Sequence, residues 1–176
     1  MTEQQPFELI AKHGDIEIRR YPAYVLVQAK SRGEFMRAGN RAFNPLLSYI
    51  SGSNSGAQKI AMTAPVLQST ENQDQHTVSF VMPAGFKPDA SAKPLSSALQ
   101  VVPVDEHYAA AIRFRGSWDA ERFEAMGQEL MRRVHELGLQ PIGDLYWARF
   151  DPPFKPGFMK RNEAIIKIAE PSKEIR

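Results

Sequence analysis

Apolar and charged residues alternate through Ile16-Glu17-Ile18-Arg19. A period of two predicts a strand with one face buried and the other in water. Pro22 stops it. Tyr24 to Lys30 (YVLVQAK) is rich in β-branched residues and predicts a second strand. After Gly33 the period changes. Phe35, Ala38, Ala42, Phe43, Leu46, Leu47 and Ile50 recur at spacings of three and four, the stripe of an amphipathic helix. Pro45 removes one backbone donor and crowds the Arg41 carbonyl, so a kink or restart is expected there. Gly52 reads as the helix stop and residues 51–56 (SGSNSG) as loop. Strands are expected at Val66–Ser69 and Thr77–Met82, followed by a proline-rich crossover from Pro83 to Pro94.

The second half repeats the plan. Strands are expected at Leu99–Val104 and Tyr108–Arg115. A helix then runs from about Ala120 to Leu137, with Phe123, Met126, Leu130, Val134 and Leu137 as its apolar stripe. Asp119 is its expected N-cap, and Trp118 with Phe123 has the spacing of a hydrophobic staple. Gly138 ends it. Leu145–Phe150 and Ala164–Ile168 complete the strands. Each half reads β-β-α-β-β and is too small to bury a core alone. The expectation is one α+β domain spanning 1–176, built as a pseudo-twofold tandem βαββ repeat. Its halves would run from about 7–83 and 99–170 and share an antiparallel sheet or a distorted, partly closed barrel with two main helices.

Composition narrows the function. Twenty-two Lys and Arg against 20 Asp and Glu leave a net charge of +2, too balanced for nucleic-acid binding by bulk electrostatics. The absence of cysteine excludes disulfides, iron–sulfur clusters and thiolate chemistry. No stretch reads as a signal peptide or membrane span, which favours a cytoplasmic protein, and a monomer is expected. The four histidines show no metal-ligand spacing. His13 and His107 near strand ends, and His76 opening a strand, are expected at the surface. His135 reads as a solvated helix residue. No firm metal site emerges. Hydrolase, metalloprotease, P-loop and dinucleotide motifs are absent too.

Two segments are unlike generic core. One runs Tyr49-Ile50-Ser51-Gly52-Ser53-Asn54, then Lys59-Ile60-Ala61-Met62-Thr63-Ala64-Pro65-Val66. The other runs Asp151-Pro152-Pro153-Phe154-Lys155-Pro156, then Arg161-Asn162-Glu163. With Phe80 to Pro83 (FVMP) between them, these segments resemble the SOUL/haem-binding-protein family from about Phe7 to Ala169, in the family's order.

The resemblance implies binding of haem or a related tetrapyrrole, without enzymatic activity, for reversible carriage or buffering. It implies an apolar pocket along the first helix and the PP-containing loop, with Asn40, Phe43, Leu47, Phe154, Lys155 and Phe158 as binding residues. Lys155 matches a propionate contact, and Asn40 stands where one animal member has a basic residue. Arg20 occupies that member's proposed ligand-histidine position, and arginine does not ligate iron. Met62, in KIAMTAPV, is a candidate axial ligand through its thioether. Each residue also has a plainer reading. Phe43 and Leu47 suit a core, Met62 a core gap, Lys155 a solvated loop, and Glu163 a salt bridge with Arg161 or another arginine. The fold is also similar to effector-binding domains. That likeness implies the alternative, a small-molecule effector-binding or hydrolytic pocket centred on Glu163 with Tyr146.

Overall fold

The computed structural model describes residues 2–176. In chain order the elements are β1 (Glu3–Gln4), β2 (Glu8–His13), β3 (Ile16–Tyr21), β4 (Tyr24–Arg32), α1 (Phe35–Ile50), β5 (Thr63–Ala64), β6 (Val66–Asn72) and β7 (Gln75–Val81). Then follow β8 (Leu99–Val104), β9 (His107–Arg115), α2 (Ala120–Glu136), β10 (Tyr146–Arg149) and β11 (Arg161–Ile168). This is the expected α+β class with two main helices.

The chain divides into two compact units. The first holds Ala23–Val104 with residues 2–5. Its antiparallel strands run β6-β7-β4-β8, and β1 pairs with β5 in a short parallel ladder. The second holds Pro6–Pro22 and Asp105–Arg176, with antiparallel order β2-β3-β9-β11-β10. Neither order closes on itself, so of the two expected forms the structure takes the open sheet.

Helix α1 starts where Gly33, at φ +113°, turns the chain and Glu34 caps it. The Glu34 carboxylate accepts from the Met36 and Arg37 amides, both at 3.0 Å. Ala38, Ala42, Leu46, Tyr49 and Ile50 are buried, and α1 packs on β4 and β7. They share a core with Val27, Ala29, Val78 and Phe80. The helix runs through Pro45 without the expected restart. One lost backbone bond is small beside the apolar area buried on either side of it. Gly52, at φ +124°, follows the C-cap Ser51.

Helix α2 is capped by Asp119, which accepts from the Glu121 amide at 3.0 Å. Its buried residues Phe123, Gly127, Leu130 and Val134 face β9, β10 and β11. Phe123 meets Phe114 edge-on at 5.2 Å, and its carbonyl accepts from Trp147 Nε1 at 2.8 Å. A Cβ on Gly127 would lie 2.5 Å from Leu145 Cδ2, so glycine lets the helix approach this closely. No helix among the described residues is long and apolar enough to cross a membrane.

Three expectations need correction. Strand β2 was missed because Leu9-Ile10-Ala11 breaks the alternation, and the structure has a bulge between Leu9 and Ala11. Strand β3 is not half in water: Ile16, Glu17, Ile18 and Arg19 are all buried. His76 and His107 are buried rather than at the surface. His76 holds Thr70 Oγ1 through Nδ1 and the Gly33 carbonyl through Nε2. His107 Nδ1 lies 2.8 Å from the Asp105 carbonyl. His135 is exposed on α2, as expected.

Candidate ligand site

The residues singled out from the sequence fall in both units. In the first, Asn40, Phe43 and Leu47 lie along one stripe of α1. Asn40 is exposed, Leu47 is 39% exposed, and Phe43 is half-buried with its ring edge-on to Phe80 at 5.2 Å. Met62 enters β5 and is 37% exposed, so it fills no core gap. Thus α1 buries one side and presents Leu47, bordered by Phe43, on the other. Below the stripe, Tyr49 donates to the Ala92 carbonyl at 2.5 Å. Asn54 Nδ2 donates to the Tyr49 and Gln58 carbonyls while its Oδ1 accepts from the Gln58 amide. Those bonds tie the SGSNSG loop to the end of α1.

In the second unit, Phe154, Lys155 and Phe158 share the loop from β10 to β11. Phe154 is 87% exposed and Phe158 is 77% exposed. Lys155 is ion-paired with Asp151 at 2.6 Å. Burial opposes ionisation of Asp151, but the Arg161 amide and the Lys155 ammonium outweigh it and hold the carboxyl below its ordinary range. The loop is therefore clamped at its base while its aromatic side chains project. Arg20 is on the surface, paired with Glu106 at 2.6 Å, and offers no ligand at the histidine position.

Glu163 is 1% exposed on β11. The register Arg113↔Glu163↔Ala148 puts it on the sheet face opposite α2, with Tyr146 two residues along the same face. The same face carries Glu17, Arg19 and Tyr21 of β3, which pair with Ala111, Ala109 and His107 of β9. Strands β3 and β11 are two ladders apart, about 10 Å. Arg19 spans that distance over the small Ala109 and Ala111. Its NH1 and NH2 donate to the two Glu163 oxygens at 2.7 and 2.8 Å. Its Nε donates to Glu17 at 2.8 Å and NH1 also to the Tyr21 hydroxyl at 2.9 Å. Arg113 Nε adds a bond to Glu163 at 3.1 Å. Burial alone would lower the Arg19 pKa, but the Glu163 and Tyr21 contacts prevail and raise it. Burial raises the Tyr21 pKa. Phe7 lies under the Arg19 guanidinium at 4.2 Å.

Glu163 thus forms an arginine salt bridge, but with Arg19 as the main partner and Arg113 beside it rather than with the neighbouring Arg161, whose backbone amide is bonded to Asp151 instead. Sequence reasoning missed Glu17 and Arg19, because alternation assigns charged positions to water. Lys160 was also missed, and Trp118 was read only as half of a hydrophobic staple. Lys160 is 8% exposed, and its Nζ lies 3.9 Å from the Trp118 ring centroid. The Arg149 guanidinium lies 5.0 Å from the same ring, and burial pulls its pKa down to about 10.

The chain matches the model of the SOUL heme-binding protein family over residues 2–167. No curated protein matches it in sequence. Among solved structures it is similar to the EcmrR C-terminal domain, with a TM-score of 0.66 and 11% identity, covering 93% of this chain and 100% of that one. A hydrolase from Listeria innocua gives a TM-score of 0.59 at 11% identity, over 91% of this chain and 94% of that one. SAV2435 bound to tetraphenylphosphonium gives 0.52 at 9% identity, over 87% and 93%. At these identities the likeness shows a shared fold.

Proposed function

The chain belongs to the SOUL heme-binding protein family, and from that footing we propose that it binds haem or a related tetrapyrrole non-enzymatically, as a reversible carrier or buffer. The observation that carries this reading is the outward stripe of α1, where Leu47 is 39% exposed beside the half-buried Phe43. A tetrapyrrole is a flat apolar disc, and this stripe offers it apolar contact. The side chains suit the macrocycle better than the iron. His76 has both ring nitrogens engaged, and Arg20, paired with Glu106, stands where one animal member has its proposed ligand histidine. Met62, exposed at the entry to β5, offers a thioether as a weak ligand. Apolar packing without a strong protein ligand suits release as well as capture.

Haemin titration tests the proposal. We expect a saturable Soret shift at one equivalent, and at least tenfold weaker binding in Leu47→Asp with an unchanged unfolding midpoint. Imidazole should add a spectral change by occupying an open iron position. Absence of saturable binding at micromolar haemin would overturn the reading.

The alternative, an effector-binding or hydrolytic pocket at Glu163, has the carboxylate's burial in its favour. Against it, both Glu163 oxygens are already committed to guanidinium groups. A lipophilic cation would have to displace Arg19. Tetraphenylphosphonium is accordingly expected not to bind, and saturable binding of it would restore this alternative.

A further inference from the structure

Eight large apolar side chains are exposed among the described residues, and three of them crowd into one loop. Phe154, Phe158 and Met159 all lie between β10 and β11. The loop is built so that they cannot fold inward. Pro152, Pro153 and Pro156 fix the backbone at three of its positions. The Lys155 amide bonds the Pro152 carbonyl at 3.2 Å, and the Met159 amide bonds the Pro156 carbonyl at 2.9 Å. Asp151 clamps the base through Lys155 and the Arg161 amide. The back of the loop presses on the segment before α2. A Cβ on Gly157 would lie 1.9 Å from Ser117 Oγ, and the Gly116 amide bonds the Lys160 carbonyl at 3.2 Å. The apolar side chains are therefore held in water by a braced backbone, which is unfavourable unless something covers them.

Area and charge say what covers them. The three side chains present roughly 400 Å², taking ~200 Å² for a fully exposed large side chain. That is half of the ~800 Å² that each partner of a stable protein interface buries. A few aromatic side chains at a loop tip are enough to enter the headgroup region of a bilayer, with basic residues beside them. The basic residues are present. Arg115 and Arg122 are exposed next to the loop, and neither meets a carboxylate among the described residues. Arg122 NH2 donates to the Arg115 carbonyl at 2.6 Å, which holds the two together. Arg161, at the loop's exit, stands directly across the β9–β11 ladder from Arg115. Like charges opposite each other on neighbouring strands repel, and an anion beside them relieves this. The acids nearby are few. Asp151 is shared between Lys155 and Arg161, Asp119 caps α2, and Glu121 follows it in the first turn.

We propose that this loop docks the protein on an anionic lipid bilayer. Phe154 and Phe158 enter the interface, and Arg115, Arg122 and Arg161 meet lipid phosphates. The site lies in the second unit, away from the α1 stripe on which the haem reading rests, and stands without that reading.

The test is sedimentation of the full chain with large unilamellar vesicles, made of phosphatidylcholine alone or mixed equally with phosphatidylglycerol. We expect saturable binding to the mixed vesicles, at least tenfold weaker binding to phosphatidylcholine alone, and weakening by added salt. Phe154→Ser with Phe158→Ser should lower affinity at least tenfold, with an unchanged unfolding midpoint. Arg115→Gln should lower it about fivefold. Ile142→Ser should leave it unchanged. Ile142 is equally an exposed apolar residue of this unit, but its amide bonds the Lys167 carbonyl at the far end of β11. Phe154→Trp should give fluorescence that brominated lipid quenches, which reports insertion rather than adsorption. No saturable binding to the mixed vesicles overturns the proposal. Equal binding by the double Phe variant, or equal binding to both vesicle types, does the same. Self-association in sedimentation velocity that the double substitution abolishes, without vesicle binding, assigns the loop to a second copy of the chain and also overturns it.

Discussion

Glu163→Ala is the sharpest perturbation of the second unit. It removes a carboxylate whose oxygens hold Arg19 at 2.7 and 2.8 Å and Arg113 at 3.1 Å. Arg19 is 1% exposed and keeps Glu17, bonded to its Nε at 2.8 Å, with the Tyr21 hydroxyl. Removing one partner of a buried ion pair costs ~3–5 kcal/mol, because the other charge is left without compensation. Glu17 compensates in part, so a loss of about 3 kcal/mol is expected for Glu163→Ala. For a chain of this length that lowers Tm by roughly 6–12 °C. Arg19→Ala should be worse, about 4–5 kcal/mol, because two buried carboxylates then share only the half-exposed Arg113. Arg19→Met with Glu163→Leu removes both charges and supplies apolar volume. It should return to within about 2 kcal/mol of wild type, well short of the summed losses of Arg19→Met and Glu163→Leu made singly. Urea unfolding followed by circular dichroism measures all three. A loss under about 1 kcal/mol for Glu163→Ala, or a double variant equal to the sum of the singles, would refute the reasoning.

Three further outcomes are expected. Tyr49→Phe leaves the Ala92 carbonyl without its 2.5 Å donor in a fully buried setting, and unfolding should become about 1–2 kcal/mol easier. Asn54→Ala removes three loop-closing bonds at a buried position and should lower stability by about 2–3 kcal/mol while leaving the α2 amides protected in hydrogen exchange. Burial holds the His107 pKa below its ordinary 6.5, so the unfolded chain takes up the proton first. The resulting contribution is intact above about pH 6.5 and declines as pH falls through 6.5 toward the folded value. Denaturation midpoints across pH 5–8 should show that decline, and His107→Gln should flatten it. A profile unchanged by the substitution would place the decline on another group.

Local periodicity carried most of the elements. The three- and four-residue spacing of Ala38, Ala42, Leu46 and Ile50 is legible without a fold, because a helix must bury one stripe whatever it packs on. The same holds for Asp119 as a cap and for Asn54 as a loop-closing residue, since both act on backbone within a few residues. Family motifs were legible for a related reason: they are short runs, and their order survives in the sequence. Strand β2 was not, because a bulge disturbs the alternation on which a strand is recognised.

Which charges meet was not legible at all. Arg19 and Glu163 are 144 residues apart, and they touch because β9 lies between β3 and β11 and presents small alanines under the arginine. Alternation told which residues of β3 share a face. It did not tell whether that face meets water, since a second layer of structure decides this, and here Glu17 and Arg19 are buried. The exposure of Leu47 and Phe154 and the enclosure of Lys160 beside Trp118 have the same origin. The sequence by itself determined the α+β class, the two helices and the Asp119 cap of the second, because those follow from interactions within a few residues. Only the tertiary structure decided the partners of buried charges and the exposure of apolar side chains, because burial is set by segments distant in the chain.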